Sequence, residues 1–318
     1  MQQQILKTSA TDLPATQFTP NLIMPGVAKC GTTTLYDILV QHPDITGGVE
    51  KELRFLLDKD DDIYQPKNIH NDRLAGWMAS YPDGGRGPFR YWIDASPQYQ
   101  WQTTAYQTIA GLPEKPRLIF IVRRPSKRLF TMYRYARYQM GALPHVTSFA
   151  QFIEELRSPA SSPIAPQRML ANALADSRYD EMLERWSAIV PPGHVWVTSV
   201  EALGSDRKDV LADLAQWLGV DAGPFLDLPP IRSNPTIRVR HHKLLAAGGR
   251  IARHLPNTGL FRKAKNWARN FLVAPVLPDE IEENATLLAE LDREFTPHVE
   301  RFNALAARMQ PGYRPLPI

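Results

Sequence analysis

The chain has 318 residues, 43% of them hydrophobic and 22% charged, with a net charge of +4; these are globular values, and length alone allows one large domain or two small ones. No apolar run approaches the roughly 20 residues of a membrane helix, the polar first 20 residues show no secretory signal, and a single cysteine, Cys30, excludes an internal disulfide. Cytoplasmic residence is the simplest expectation.

The first predicted element is a strand over Asn21 to Pro25, which breaks at Gly26-Val27-Ala28-Lys29-Cys30-Gly31-Thr32-Thr33-Thr34 before the amphipathic segment Leu35 to Gln41. This reads as a strand, a tight loop and a helix start. Backbone N–H groups at a helix start have no intrahelical partners and sit at the positive end of the dipole, so they attract an anion such as phosphate. The spacing of Gly26 and Gly31 matches the ordinary phosphate loop, G-x-x-x-x-G-K-[ST]. The lysine does not, because Lys29 precedes Gly31 and Thr32 stands where the lysine would be.

Further strands are predicted over Arg90 to Asp94, Arg117 to Val122 and His194 to Ser199. Helices are predicted over Thr32 to Gln41, Asn71 to Ala79, Pro125 to Met140, Gln167 to Ile189, Asp206 to Leu218 and Asp279 to Arg308. Strands separated by helices imply an α/β fold with a central parallel sheet covered on both faces, with ligands at the carboxyl ends of the strands. Lys29 and Arg123 both follow strand ends. Proline clusters at Ser158 to Pro166, Pro191-Pro192, Leu228 to Pro235 and Pro311 to Pro317 mark loops. The expected organisation is a flexible segment over 1–20, a single domain over 21–310 and a Pro-rich tail over 311–318.

The pattern K-x-G-T-T after an apolar strand resembles the 5′-phosphosulfate loop of sulfotransferases that use 3′-phosphoadenosine-5′-phosphosulfate (PAPS). Arg117 to Tyr133 is similar to that family's 3′-phosphate segment, a strand ending in R-x-P followed by a helix carrying R and [ST]-x-x-Y. His42-Pro43-Asp44 and Glu52-Leu53-Arg54-Phe55 resemble the H-P-[DE] and E-x-x-F stretches of the carbohydrate and related bacterial sulfotransferases, and the likeness continues through Asp94-Ala95-Ser96-Pro97 and Tyr179 to Trp186. It implies a P-loop-like three-layer α/β/α domain, PAPS as sulfuryl donor with its bisphosphate product PAP, and an acceptor hydroxyl on a bacterial polysaccharide or glycolipid sugar, or on a small-molecule alcohol. Where glycosaminoglycan enzymes usually read E-K-[ST], this chain has Asp94-Ala95-Ser96, which removes a cation but leaves Asp94 and Ser96 as weak candidates for lining the acceptor site.

Sulfuryl transfer is an in-line displacement in which negative charge grows on the bridging oxygen, so positioning and electrostatic stabilisation carry most of the catalysis. Lys29, beside the helix start, is the natural cation for that oxygen. Lys29, Cys30, Gly31, Thr32, Thr33 and Thr34 form the expected donor loop. Glu52 is the candidate base for the acceptor proton, with Glu50 the neighbour most easily confused with it. Arg123 has the fork that binds a 3′-phosphate, and Thr131, about two turns into the following helix, can present its hydroxyl to the same pocket. Arg238 is counted with the donor-binding residues. Arg124, Lys127 and Arg128 read as solvated or structural charge, Tyr133 and Tyr135 as packing residues, and His42 as structural at a helix end.

Between Asp227 and Asp279 there is no acidic residue, while ten Lys and Arg fall there. Such a block either is a solvated basic face or favours anionic ligands or surfaces, and its interleaved leucines leave open a peripheral contact of 232–269 with the inner face of an anionic membrane. No zinc-type ligand spacing and no nucleic-acid module are visible, and no metal is expected. The competing readings are a nucleotide kinase or triphosphatase with a degenerate phosphate loop, and a non-catalytic anion-binding or membrane-binding module.

Overall fold

The computed structural model describes residues 19–229, 237–239, 273–275 and 280–318. Most of the expected N-terminal segment over 1–20, and most of the basic block over 232–269, therefore lie outside the described residues. The described chain groups into two compact units, one holding the described parts of Met1–Arg124, Arg178–Ser233 and Phe295–Ile318, the other those of Pro125–Ser177 and Asn234–Glu294.

The first unit is built on five parallel strands: β1 (Leu22–Gly26), β2 (Ile45–Gly47), β3 (Tyr91–Asp94), β4 (Arg117–Val122) and β5 (Val195–Ser199), in spatial order β2-β3-β1-β4-β5. Period-two alternation sends the strand side chains into two cores. On β4, Leu118, Phe120 and Val122 enter one core, while Ile119 and Ile121 enter the other. The first core is closed by α3 (Thr103–Gly111), α7 (Tyr179–Ser187) and the C-terminal part of α12 (Ala285–Met309), through residues such as Ile109, Trp186 and Phe302. Leu35, Ile38 and Leu39 of α1 (Thr32–Leu39) join Leu211 and Leu214 of α9 (Arg207–Leu218) in the second. This is a P-loop-like three-layer α/β/α arrangement.

Pro25 lies within the central strand. It has no N–H for the ladder, and the β1–β4 register slips between Ile23 and Gly26. The connection from β1 leads toward β2 and β3, whereas that from β4 leads toward β5. The chain therefore diverges between the carboxyl ends of β1 and β4, the position where an open parallel sheet leaves a crevice.

The four strands read from the sequence are present with shifts of at most one residue at either end. The short β2 was missed, because Ile45-Thr46-Gly47 is too brief for an alternation to register. The outer edge of β5 is covered by the chain's end: Val197 N–H donates to Gln310 Oε1 at 2.7 Å. The Pro-rich tail is anchored there too, since Asn303 exchanges hydrogen bonds of 3.0 and 2.9 Å with the backbone of Leu316, which is buried.

The second unit contains α4 (Pro125–Arg134), which passes into a π-helical turn over Tyr135–Met140, then α5 (Phe149–Arg157) and α6 (Arg168–Ala171). It also holds the antiparallel pair β6 (Ile237–Val239) and β7 (Val273–Pro275). Phe130, Tyr133, Phe149 and Phe152 form its aromatic core. The continuous helix expected over Gln167 to Ile189 is not formed. Arg128 is fully buried and its guanidinium donates to the Ala173 carbonyl at 2.8 Å and to Ser177 Oγ at 2.7 Å. Satisfying a buried cation there takes precedence over a regular ladder, and α6 is followed by a separate 3-10 turn over Ala175–Ser177 before α7 begins.

Phe120→Ala, which empties a fully buried position on β4 against Trp186, is expected to lower stability by about 3–5 kcal/mol. Urea unfolding followed by tryptophan fluorescence checks this, with the midpoint falling and the slope unchanged.

Candidate active site

The chain leaves β1 through a bend held by Val27 N–H to the Ile121 carbonyl at 3.3 Å and Cys30 N–H to the Val27 carbonyl at 3.2 Å. Two residues in it are left-handed: Lys29 with φ 68° and Gly31 with φ 81°. At Gly31 a Cβ would also lie 3.0 Å from Val200 Cγ2, so both backbone and space favour glycine. Lys29 bears the strain that left-handed backbone imposes on a side-chain-bearing residue. Gly31 is the N-cap of α1 and places Thr32, Thr33 and Thr34 in its first turn, with no side-chain cap and no acidic residue in that turn. The start of α1 thus presents its N–H groups and dipole without a built-in anion.

Cys30 is buried, with its Sγ 3.7 Å from the Tyr179 hydroxyl, which donates to the Arg123 carbonyl at 2.8 Å. Tyr179 therefore struts the bend against the end of β4. Arg123 is brought close enough to oppose the charge on Lys29.

The loop after β2 returns to this end of the sheet. Lys51 Nζ lies 3.4 Å from Thr32 Oγ1 and 3.1 Å from Glu52 Oε1. The other carboxylate oxygen of Glu52 accepts from Arg54 at 3.1 Å and from Gln98 Nε2 at 2.9 Å. Glu50 is exposed and is not part of this cluster. Arg54 is itself left-handed, with φ 53°.

Beneath the loop lies a buried polar platform. Asp94 accepts from Ser96 Oγ at 2.6 Å, the Tyr99 hydroxyl at 2.7 Å and Trp77 Nε1 at 2.9 Å. With their protons turned toward Asp94, the two hydroxyls accept from the chain above: Ser96 from Arg54 N–H at 3.0 Å, Tyr99 from the N–H groups of Phe55 and Leu56 at 2.9 and 3.2 Å. Asp94, Ser96 and Tyr99 are fully buried. Asp94 and Ser96, the weak candidates for lining the acceptor site, are thus buried, and their polar atoms support the loop that carries Glu52.

Charge states follow from this packing. Burial pushes the Lys29 ammonium down to about 8, opposed by the attraction of Glu52 and reinforced by Lys51 and Arg123. Burial alone would push the Glu52 carboxyl up, but the Lys51 charge and the hydrogen bonds from Gln98, Lys51 and Arg54 together hold it below the ordinary carboxylate range. Burial pushes the Asp94 carboxyl up against its three hydrogen bonds, with Glu52 acting in the same upward direction.

Thr131 belongs to the second unit, where its hydroxyl donates to the Lys127 carbonyl at 2.7 Å. Arg238 is on β6, and its side chain lies outside the described residues. His42 is buried, accepting from Asp44 N–H at 3.1 Å on Nδ1 and so donating from Nε2 to the Asp221 carbonyl at 3.0 Å. Among the described residues no group of three His, Cys, Asp or Glu could hold a metal ion, and no helix is long and apolar enough to cross a membrane. Sequence reasoning missed Lys51, Arg54 and Gln98. Lys51 adjoins Glu52 in sequence, but nothing local says that it turns back to α1.

No family model matches the chain. Over 204 residues it is 25% identical to the human bifunctional heparan sulfate N-deacetylase/N-sulfotransferase 3 and 24% identical to the type 1 enzyme of Xenopus laevis, each match covering 63% of this chain. The matched region spans 22% of the length of these relatives. In structure the chain resembles a sulfotransferase from Alicyclobacillus acidocaldarius, with a TM-score of 0.56 and 20% identity over 91% of this chain and 96% of that one.

Anion affinity of this site is expected to fall about tenfold as pH rises through about 8, where the Lys29 ammonium loses its proton. Calorimetric titration with inorganic pyrophosphate checks it, and Lys29→Met should remove most of that dependence. Because the Lys29 pKa is lowered in the folded chain, its contribution to stability improves between about 8 and 10.5. Its own ionisation therefore cannot account for the loss through unfolding.

Proposed function

We propose that this chain, which has the sulfotransferase fold and is related in sequence to the sulfotransferases, transfers a sulfuryl group from PAPS to an acceptor hydroxyl on a polysaccharide or glycolipid sugar. The observation that carries this reading is the juxtaposition of a half-buried ammonium, Lys29, at the uncapped start of α1 with an ionised carboxylate, Glu52, held on the facing loop. A kinase or triphosphatase site places its lysine after the second glycine and needs a hydroxyl on magnesium. Here the lysine sits before it, in a left-handed position of its own.

The donor supplies a sulfur–oxygen bond activated by a phosphate leaving group. The first-turn N–H groups of Thr32, Thr33 and Thr34 would hold its 5′-phosphate, and Arg123 would meet the 3′-phosphate with a bidentate fork. Glu52 takes the proton from the acceptor hydroxyl as the acceptor oxygen bonds to sulfur. The bond from sulfur to the bridging oxygen breaks, its electron pair stays on that oxygen, and Lys29 stabilises the charge that develops there. Glu52 is ready for this at neutral pH because its donors keep it deprotonated. The Asp94 platform contributes by fixing the backbone from Arg54 to Leu56, so that the carboxylate is already in place when the acceptor arrives. The basic stretch 232–269 would attract an anionic glycan or membrane surface that carries the acceptor, and the protein would act in the cytoplasm.

A second reading, transfer to an amine of a glycan, is favoured by the named activity of the relatives, which are N-sulfotransferases. The same carboxylate would then remove a proton from nitrogen.

Glu52→Gln should keep its affinity for PAP within about twofold yet lose roughly 10²–10⁴-fold in turnover. Calorimetry with PAP and radiolabelled sulfur transfer from PAPS onto a panel of glycans, aminoglycans and alcohols check both halves. An unchanged rate would remove Glu52 as the base, and magnesium-dependent binding of ATP in place of PAP would move the chain to the kinase class.

A further inference from the structure

We propose that Lys51 is a second cation of the donor site and touches the oxygens of the group being transferred. The inference rests on the sulfuryl-transfer reading and deepens it. Lys51 comes from the loop after β2, not from the bend that carries Lys29, yet its Nζ reaches Thr32 Oγ1 at 3.4 Å, the first residue of α1. The same ammonium donates to Glu52 Oε1 at 3.1 Å. Thr32 marks where an anion would sit, and Glu52 marks where an acceptor proton would go. Lys51 reaches both of these points with one ammonium.

A role limited to neutralising Glu52 accounts for less. Lys51 helps to keep Glu52 ionised, but Arg54 and Gln98 also hold the carboxylate, on its Oε2, and neither of them reaches Thr32 in the way Lys51 does. An ammonium has three donors, and Thr32 and Glu52 use two. The side chain is only 17% exposed, so its charge is held in the site instead of being released to solvent. Lys29, Lys51 and Arg54 all act on Glu52. Bringing like charges together around one carboxylate is unfavourable until an anion of more than one charge joins them. In keeping with this, Lys51 is one of the charges that hold the Lys29 ammonium down. A sulfuryl group adds oxygens that PAP lacks, so a cation placed on those oxygens separates donor from product.

The test compares equilibrium binding of PAPS and of PAP to the wild-type chain, Lys51→Met and Lys51→Arg, with transfer rates measured in parallel. Lys51→Met should lose about tenfold of the preference for PAPS over PAP and at least tenfold in turnover, while PAP affinity stays within about twofold, which also shows that the variant is folded. Lys51→Arg should recover part of both. An unchanged PAPS preference in Lys51→Met, with the acid limb of the pH–rate profile moved upward, would overturn the inference and leave Lys51 as a partner of Glu52 alone. Wild-type chain that binds neither nucleotide would overturn the sulfuryl-transfer reading itself, and the role of Lys51 with it.

Discussion

The candidate site depends on one backbone constraint, the reversal between β1 and α1 in which Lys29 and Gly31 both take left-handed conformations. This bend turns the chain sharply enough that α1 begins at the carboxyl end of the sheet, with an uncapped first turn and a lysine folded in beside it. Left-handed backbone is costly for a residue with a side chain, and burying an ammonium is costly as well. Both costs fall on Lys29, and both are offset only by structure around it: the ladder contact of Val27 to Ile121, the strut of Tyr179 between Cys30 and Arg123, and the facing charge of Glu52.

The sheet order makes those supports available. Because β1 is flanked by β3 and β4, the segments that follow all three strands emerge at the same end. The β4 exit supplies Arg123, the β3 exit supplies Ser96, Gln98 and Tyr99, and the bend supplies Lys29. The β2 exit then brings Lys51, Glu52 and Arg54 over the top. Asp94, at the last residue of β3, is the pivot of this arrangement. As a buried carboxylate that organises two hydroxyls, it converts a loop of seemingly free backbone into one with three fixed N–H groups.

Electrostatics and packing work against each other here in a useful way. Dehydration would leave Glu52 protonated and Lys29 neutral, which is the wrong pair of states for proton removal and charge stabilisation. For Glu52 the surrounding donors outweigh dehydration and keep it ionised; for Lys29 they do not, so the ammonium is held within reach of neutral pH. The site therefore stores positive charge that a polyanionic ligand relieves, and the same ligand would strengthen the protonated state of Lys29.

Much of this was legible in the chain alone. The alternation of short apolar strands with helical periods specified the α/β class, and a turn, a helix start and two strand ends, which are local features with local residue requirements, placed Lys29 and Arg123 just after strand ends; their candidate roles came from the resemblance of K-x-G-T-T and R-x-P to the sulfotransferase motifs. The break in the helix expected over Gln167 to Ile189 was not legible, since it depends on a guanidinium some forty residues earlier in the chain. Nor were the burial of Asp94 and Ser96, the direction in which Glu52 is shifted, or the return of Lys51 to Thr32. Each of these is set by which side chains meet across strands and loops distant in sequence, and burial and charge are properties of that meeting that a residue does not carry on its own.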